Sequence, residues 1–259
     1  MPSIAATKQK WKKARHAEKQ FAVALRKVAK RCEDLAKKTF KQNEPLSSSA
    51  RLKRALELYA VDLQKWAKAT AERMVMDVAR RDEAFWAEQS KTMAKNLRAE
   101  IKKTPIGLKV RERTNEAAAY ITSLPLEAAQ RVEKISLQYL TQGKRASVLA
   151  TDILNTGQVT KSRANLIART ETARTASVLQ QTRAEAVGSE GYIWRTSEDV
   201  DVRERHRKLN GKYFTWISPP VSGENGERSH PGEIYNCRCW AEVVLPGEKK
   251  SSHSQFKAV

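Results

Sequence analysis

The sequence predicts a mainly α protein with a small α+β module. An extended helical N-terminal region, arranged as a bundle or as helical hairpins, precedes a compact C-terminal domain with a few strands. Three observations carry this. Apolar residues recur at alternating steps of four and three through the first half, the spacing of one helix face. From Tyr192 to Leu245 that pattern gives way to short alternating segments broken by glycine and proline. Charge changes with it: Tyr192–Leu245 holds eight Lys/Arg against eight Asp/Glu, whereas the first 50 residues hold thirteen against four. The expected regions are 1–142 (basic and α-helical), 143–245 (the compact module) and 246–259 (a flexible tail).

Phe21, Leu25, Val28, Cys32 and Leu35 form the first stripe, which makes Cys32 a small core residue. Pro45 and Ser47-Ser-Ser49 end this helix, and the serines are suited to cap the next. Leu52, Leu56, Tyr59, Leu63 and Trp66 repeat the spacing, which continues through Met74, Val78 and Phe85 to Ile101. Pro105, Gly107 and Pro125 read as punctuation, and a shorter helix bearing Val132, Ile135 and Tyr139 ends near Gly143. Each run lasts about two heptads, which suits an intramolecular bundle better than a long coiled coil.

Arg145–Leu154 reads as a short helix and Asn155-Thr-Gly157 as a turn. Thr160 is then expected to cap a long helix reaching Val187, stopped by Gly188. Ala164, Ile167, Ala168, Glu171, Val178 and Leu179 fall near one face of it. A carboxylate among apolar neighbours needs a cationic partner, and Arg203 is the candidate for Glu171.

The last segment alternates strand and turn. Gly191–Thr196 and Lys212–Trp216 are strand-like. Between them a short helix through Arg203, His206 and Leu209 is capped by Asp199 or Asp201 and ended by Gly211. A polar Gly/Pro loop from Pro219 to Gly232 leads to a final strand, Cys237–Leu245. Alternation there places Cys237, Cys239, Ala241 and Val243 on one face.

His206, His230, Cys237 and Cys239 fall within 34 positions of each other. Two imidazoles and two thiols suit a structural Zn²⁺, and four protein ligands would leave no open position for hydrolysis. The same residues also suit half-buried packing thiols, with His206 bonded to Asp199 or Asp201. A zinc- or magnesium-dependent nuclease would use His206 or His230 to activate water, with Asp199, Asp201 or Glu233 as acid, base or ligand. The chain offers no compact paired-carboxylate motif for that role, so no catalytic residue is assigned and no enzyme activity is expected.

The net charge is +20 over 259 residues. A cationic body beside a neutral module suggests sequence-independent contact with duplex DNA, although a lysine-rich solvated surface has the same composition. No helix-turn-helix or zinc-finger spacing supports a sequence-reading regulator. Three cysteines, two of them one residue apart, fit reduced thiols better than a disulfide framework. No apolar run is long enough to span a membrane.

Ile167-Ala-Arg-Thr-Glu171, Tyr192-x-Trp194, Asp199-x-Asp-Val-Arg203, His206-x-x-Leu-x-Gly211, His230-Pro-Gly232 and Asn236-Cys-Arg-Cys239 together resemble the bacteriophage Mu F-like head morphogenesis proteins, also called minor capsid or minor head proteins. Their order and approximate spacing agree over roughly residues 143–245. The resemblance implies a few-copy virion component in the head interior or at the portal vertex. It would act in procapsid assembly in the host cytoplasm, with portal, major capsid and scaffolding proteins and packaged double-stranded DNA as partners.

Overall fold

A computed structural model describes residues 4–91, 106–142 and 146–248. The expectations on Ile101, Pro105, Gly143 and Arg145, and on the tail beyond Glu248, fall outside these residues.

Helix α1 (Ile4–Thr39) is amphipathic, with Phe21, Leu25, Val28 and Cys32 buried along one stripe. Lys37 and Lys38 occupy its last turn, where cations complement the helix dipole. Pro45 is the first residue of α2 (Pro45–Asp62), the position at which a missing N–H costs nothing. The serines do not cap it. Glu44 holds the cap position, while Ser49 Oγ donates to the Pro45 carbonyl at 2.6 Å and Ser48 Oγ to that of Lys41 at 3.1 Å. Only Leu63 separates α2 from α3 (Gln64–Ser90), and Leu63 keeps helical angles and bonds to the Tyr59 carbonyl. The stripe of Leu52, Leu56 and Leu63 therefore runs buried across the joint.

Pro125 does not punctuate the chain: it lies inside a single helix, α4 (Gly107–Gln142). Proline in a helix interior costs about 3 kcal/mol. Here Ile121, Leu124 and Val132 are buried on the same helix, and each contributes about 1.5–3 kcal/mol. Packing outweighs the broken hydrogen bond.

Helix α5 (Ala146–Leu154) is separated by Asn155 from α6 (Thr156–Ala186), which begins four residues earlier than the expected cap. Thr160 is internal, its hydroxyl donating to the Thr156 carbonyl at 2.7 Å. Gly157 is also helical. A Cβ there would lie 2.8 Å from Glu33 Cβ, so glycine permits a close helix–helix approach and not a turn. At the other end Gly188 has φ +78°, the Gly188 N–H bonds the Glu185 carbonyl, and the Ser189 N–H bonds that of Ala184. This is the Schellman pairing for which a left-handed glycine is suited.

Strands β1 (Gly191–Arg195), β2 (Tyr213–Thr215) and β3 (Trp240–Val244) form an antiparallel sheet in the order β2-β1-β3. Tyr192 pairs with Phe214 on one side and Val243 on the other. The last strand starts later than expected: Cys237 and Cys239 precede the ladder. Helix α7 (Glu204–Leu209) has Arg203 at its cap position, and neither Asp199 nor Asp201 caps it. Arg238 holds both carboxylates, at 2.9 and 2.8 Å.

The chain divides into two compact units, each discontinuous in sequence. One comprises residues 18–74 and 114–168. Its core joins Cys32 and Ala36 of α1, Leu52 and Leu56 of α2, Ala128, Ala129 and Val132 of α4, and Leu149 and Ile153 of α5. Burial raises the Cys32 thiol to about 12, as befits a packing group. The other unit comprises residues 1–17, 75–113 and 169–259. Its core gathers Trp86, Tyr192, Trp194, Trp216, Cys237, Cys239, Ala241, Val243 and Leu245. The expected face of Cys237, Cys239, Ala241 and Val243 is thus a single core surface.

Candidate metal centre

Three of the four expected ligands converge. His206, Cys237 and Cys239 are all buried, and their ligand atoms lie within 4.8 Å of one another. His206 Nδ1 is 3.4 Å from Cys239 Sγ and 3.7 Å from Cys237 Sγ. On the far side of the ring, Nε2 lies 3.2 Å from the Ser222 carbonyl. A carbonyl only accepts, so Nε2 carries the proton and the Nδ1 lone pair faces the sulfurs.

Each arm is held by its own local structure. One turn of α7 presents His206, and Trp194 of β1 packs edge-on against the imidazole with ring centroids 5.3 Å apart. The Asn236-Cys-Arg-Cys239 turn is fixed on α6. Asn236 adopts φ +60°, a conformation asparagine tolerates better than most residues. Its side chain accepts from Arg169 at 2.6 Å and its N–H donates to Thr170 Oγ1 at 3.1 Å. The preceding His230-Pro-Gly232 loop is tied to the same helix by Ser177 Oγ, which donates to the Pro231 carbonyl at 2.9 Å. Arg174 Nε donates to the Glu233 carbonyl at 2.5 Å.

The two sulfurs are not equivalent. Backbone N–H groups of Gly232 and Cys239 both reach Cys237 Sγ at 3.4 Å. The Cys237 pKa lies well below the usual thiol value, chiefly because the Cys239 thiol donates to it, in spite of burial. The Cys239 pKa is raised, first by that same hydrogen bond and then by burial. Cys237 is the sulfur poised as thiolate.

His230 does not join the group. Its Nδ1 lies 3.0 Å from the Tyr192 hydroxyl, and its ring packs against those of Tyr192 and Trp216 at 5.5 Å each. Burial lowers its pKa, with Glu233 and Glu185 opposing, so the neutral imidazole is favoured. It serves as a core hydrogen-bonding group between the sheet and the loop.

The pairing expected for Glu171 is also different. Arg203 is half-buried and donates to the Tyr235 carbonyl at 3.0 Å. Glu171 pairs with Arg113 of α4 and, at 3.2 Å, with Arg174 one turn along α6. Neither the 58-residue separation from Arg113 nor the Asp82–Arg183 ion pair, buried at 2.7 Å across 101 residues, leaves a mark in the sequence. The carboxylates of the nuclease alternative are engaged elsewhere: Asp199 and Asp201 by Arg238, and Glu233 by the His230 N–H at 2.7 Å. Among the described residues none of them joins the His206 group.

The motif residues that build this centre lie inside a recognisable segment. The chain is 31% identical over 156 residues to a Haemophilus influenzae protein described as uncharacterized. The alignment covers 60% of this chain and 34% of that protein, so the chain spans about a third of the length of the curated relative it matches. No solved structure matches. The family described as Phage Mu protein F like protein matches residues 130–242, from the C-terminal part of α4 to β3.

Proposed function

We propose that the protein is a structural minor head protein of a tailed bacteriophage. In this reading it acts in procapsid assembly near the portal vertex, with portal, major capsid and scaffolding proteins as partners. It resides in the virion head and contacts packaged double-stranded DNA without reading sequence. The observation that carries the reading is the Phage Mu protein F like match over residues 130–242, which contains β1, β2, α7, the start of β3 and the His206–Cys237–Cys239 group. No described helix is long and apolar enough to cross a membrane.

The DNA contact has separate support on α1. Lys27, Arg31 and Lys38 are exposed and recur at steps of four and seven, which places them on one helix face. Lys30, beside them, is partly neutralised by Asp34 at 3.0 Å. Such a face suits a phosphate backbone. A structural role is favoured over a nuclease because Arg238 holds Asp199 and Asp201, and Glu233 ties down its own loop.

Co-expression with the portal, major capsid and scaffolding proteins of the same phage tests the assembly role. Procapsids that incorporate the chain only when portal is present support a vertex position. Incorporation that ignores portal, or none at all, refutes it.

A further inference from the structure

We propose that His206 Nδ1, Cys237 Sγ and Cys239 Sγ form a three-ligand Zn²⁺ site from which His230 is excluded. This inference does not depend on the role in the phage head. The first support is geometric. Zinc–sulfur bonds of about 2.3 Å and zinc–nitrogen bonds of about 2.0–2.1 Å at tetrahedral angles place nitrogen and sulfur about 3.5 Å apart. The two nitrogen–sulfur separations here are 3.4 and 3.7 Å. Both nitrogen–sulfur edges thus match those of a zinc tetrahedron, and all three atoms lie within 4.8 Å of one another.

The second support is hydrogen-bond accounting. Nε2–H is committed to the Ser222 carbonyl, so the imidazole has one lone pair on the inner side, and two buried sulfurs converge on it. The Nδ1 lone pair and both sulfurs are electron-pair donors that face one another. A cation at the centroid uses that lone pair and both sulfurs together.

The third support is the outer layer. A histidine ligand is commonly oriented by a carbonyl accepting from its other ring nitrogen, as Ser222 does here. Gly232 N–H and Cys239 N–H both point at Cys237 Sγ, which suits a sulfur carrying negative charge on a metal. Trp194, packed edge-on against His206, also offers its indole N–H to Cys239, a further donor to ligand sulfur. The ion would join α7 to the turn before β3, with the Gly/Pro loop held to it through the Ser222 carbonyl.

Among the described residues no fourth imidazole, thiol or carboxylate joins the group. The fourth position therefore belongs to a ligand outside this set, unlike a closed four-ligand site. His230 is spent on the Tyr192 hydroxyl.

Elemental analysis of the full chain, expressed without a metal-affinity tag, tests the proposal. About one zinc per chain is expected for the wild type and for Cys32→Ser, and a several-fold loss for Cys237→Ser and Cys239→Ser. His230→Asn is expected to keep its zinc, which separates three ligands from four. Because the cysteine variants can fail to fold, Co²⁺ titration of the wild-type chain gives an independent readout. Intense near-ultraviolet thiolate-to-cobalt absorption, displaced by Zn²⁺, is expected. Folded wild-type chain with well under one zinc and no such absorption overturns the proposal. Zinc lost from folded His230→Asn, or copper bound in place of zinc, overturns it equally.

Discussion

Arg113 on α4 and Glu171 on α6 form an ion pair sealed from solvent, with side chains 7% and 1% exposed. Arg174 shares the carboxylate from the rim. Removing one member leaves a buried charge without its partner, which costs about 3–5 kcal/mol. Glu171→Gln should therefore lower the denaturation midpoint strongly. Arg203→Met should change stability by about 0.5 kcal/mol, since its guanidinium donates to the Tyr235 carbonyl at the surface and does not pair with Glu171. A double-mutant cycle between positions 113 and 171 checks this: strongly non-additive losses are expected, and additive ones would place the energy elsewhere.

His230 should make stability depend on pH on the acid side. Its folded pKa is depressed from 6.5 because burial disfavours the imidazolium, so protons bind preferentially to the unfolded chain below that value. Stability is full above about pH 6.5 and declines as pH falls through the unfolded value toward the lower folded one. Equilibrium unfolding from pH 8 to 5 should show this decline in the wild type and a shallower one in His230→Asn. Parallel profiles would remove His230 as the cause.

Gly157 tests a packing claim. An added methyl at the start of α6 would meet Glu33 Cβ and Cγ at 2.8 Å, and neither atom is the free end of a side chain. Gly157→Ala should lower stability by about 1–3 kcal/mol, although alanine is the better helix former. A stabilised variant in thermal denaturation would show that the two helices separate at no cost.

Cations on α1 should govern DNA affinity. Deleting the N-terminal residues is uninformative, because Phe21, Leu25, Val28 and Cys32 of the same helix are buried. Replacing Lys27, Arg31 and Lys38 by glutamine keeps that stripe. Each phosphate contact contributes about −0.9 to the slope of log affinity against log salt, so the triple variant should bind arbitrary duplex more weakly and with a slope shallower by about 2–3. An unchanged slope in fluorescence anisotropy titrations would exclude this face.

Local order was legible in the sequence, and long-range partnership was not. The four-three spacing located the buried stripes of α1 and α2 because one face of each helix must meet a core. Period-two alternation placed Cys237, Cys239, Ala241 and Val243 on one surface, even though pairing begins only at Trp240. Glu171 was recognisably a carboxylate in an apolar stripe, but nothing local points to Arg113, 58 residues upstream. Pro125 and Thr160 misled for a shared reason: each carries a strong local preference, and tertiary packing overrode it. At the candidate metal centre, residue type grouped four side chains, whereas the fold spends His230 on Tyr192 and leaves three together. Tyr192 stood out as a motif residue, but nothing local named His230, 38 residues on, as its partner.

Quantitative mass spectrometry of purified procapsids and mature virions of the phage that encodes this chain tests the head-protein assignment most directly. The account predicts the chain in both, at a few copies per particle against hundreds of major capsid subunits, and absent from particles assembled without portal. Absence of the chain from procapsids and virions alike would contradict it.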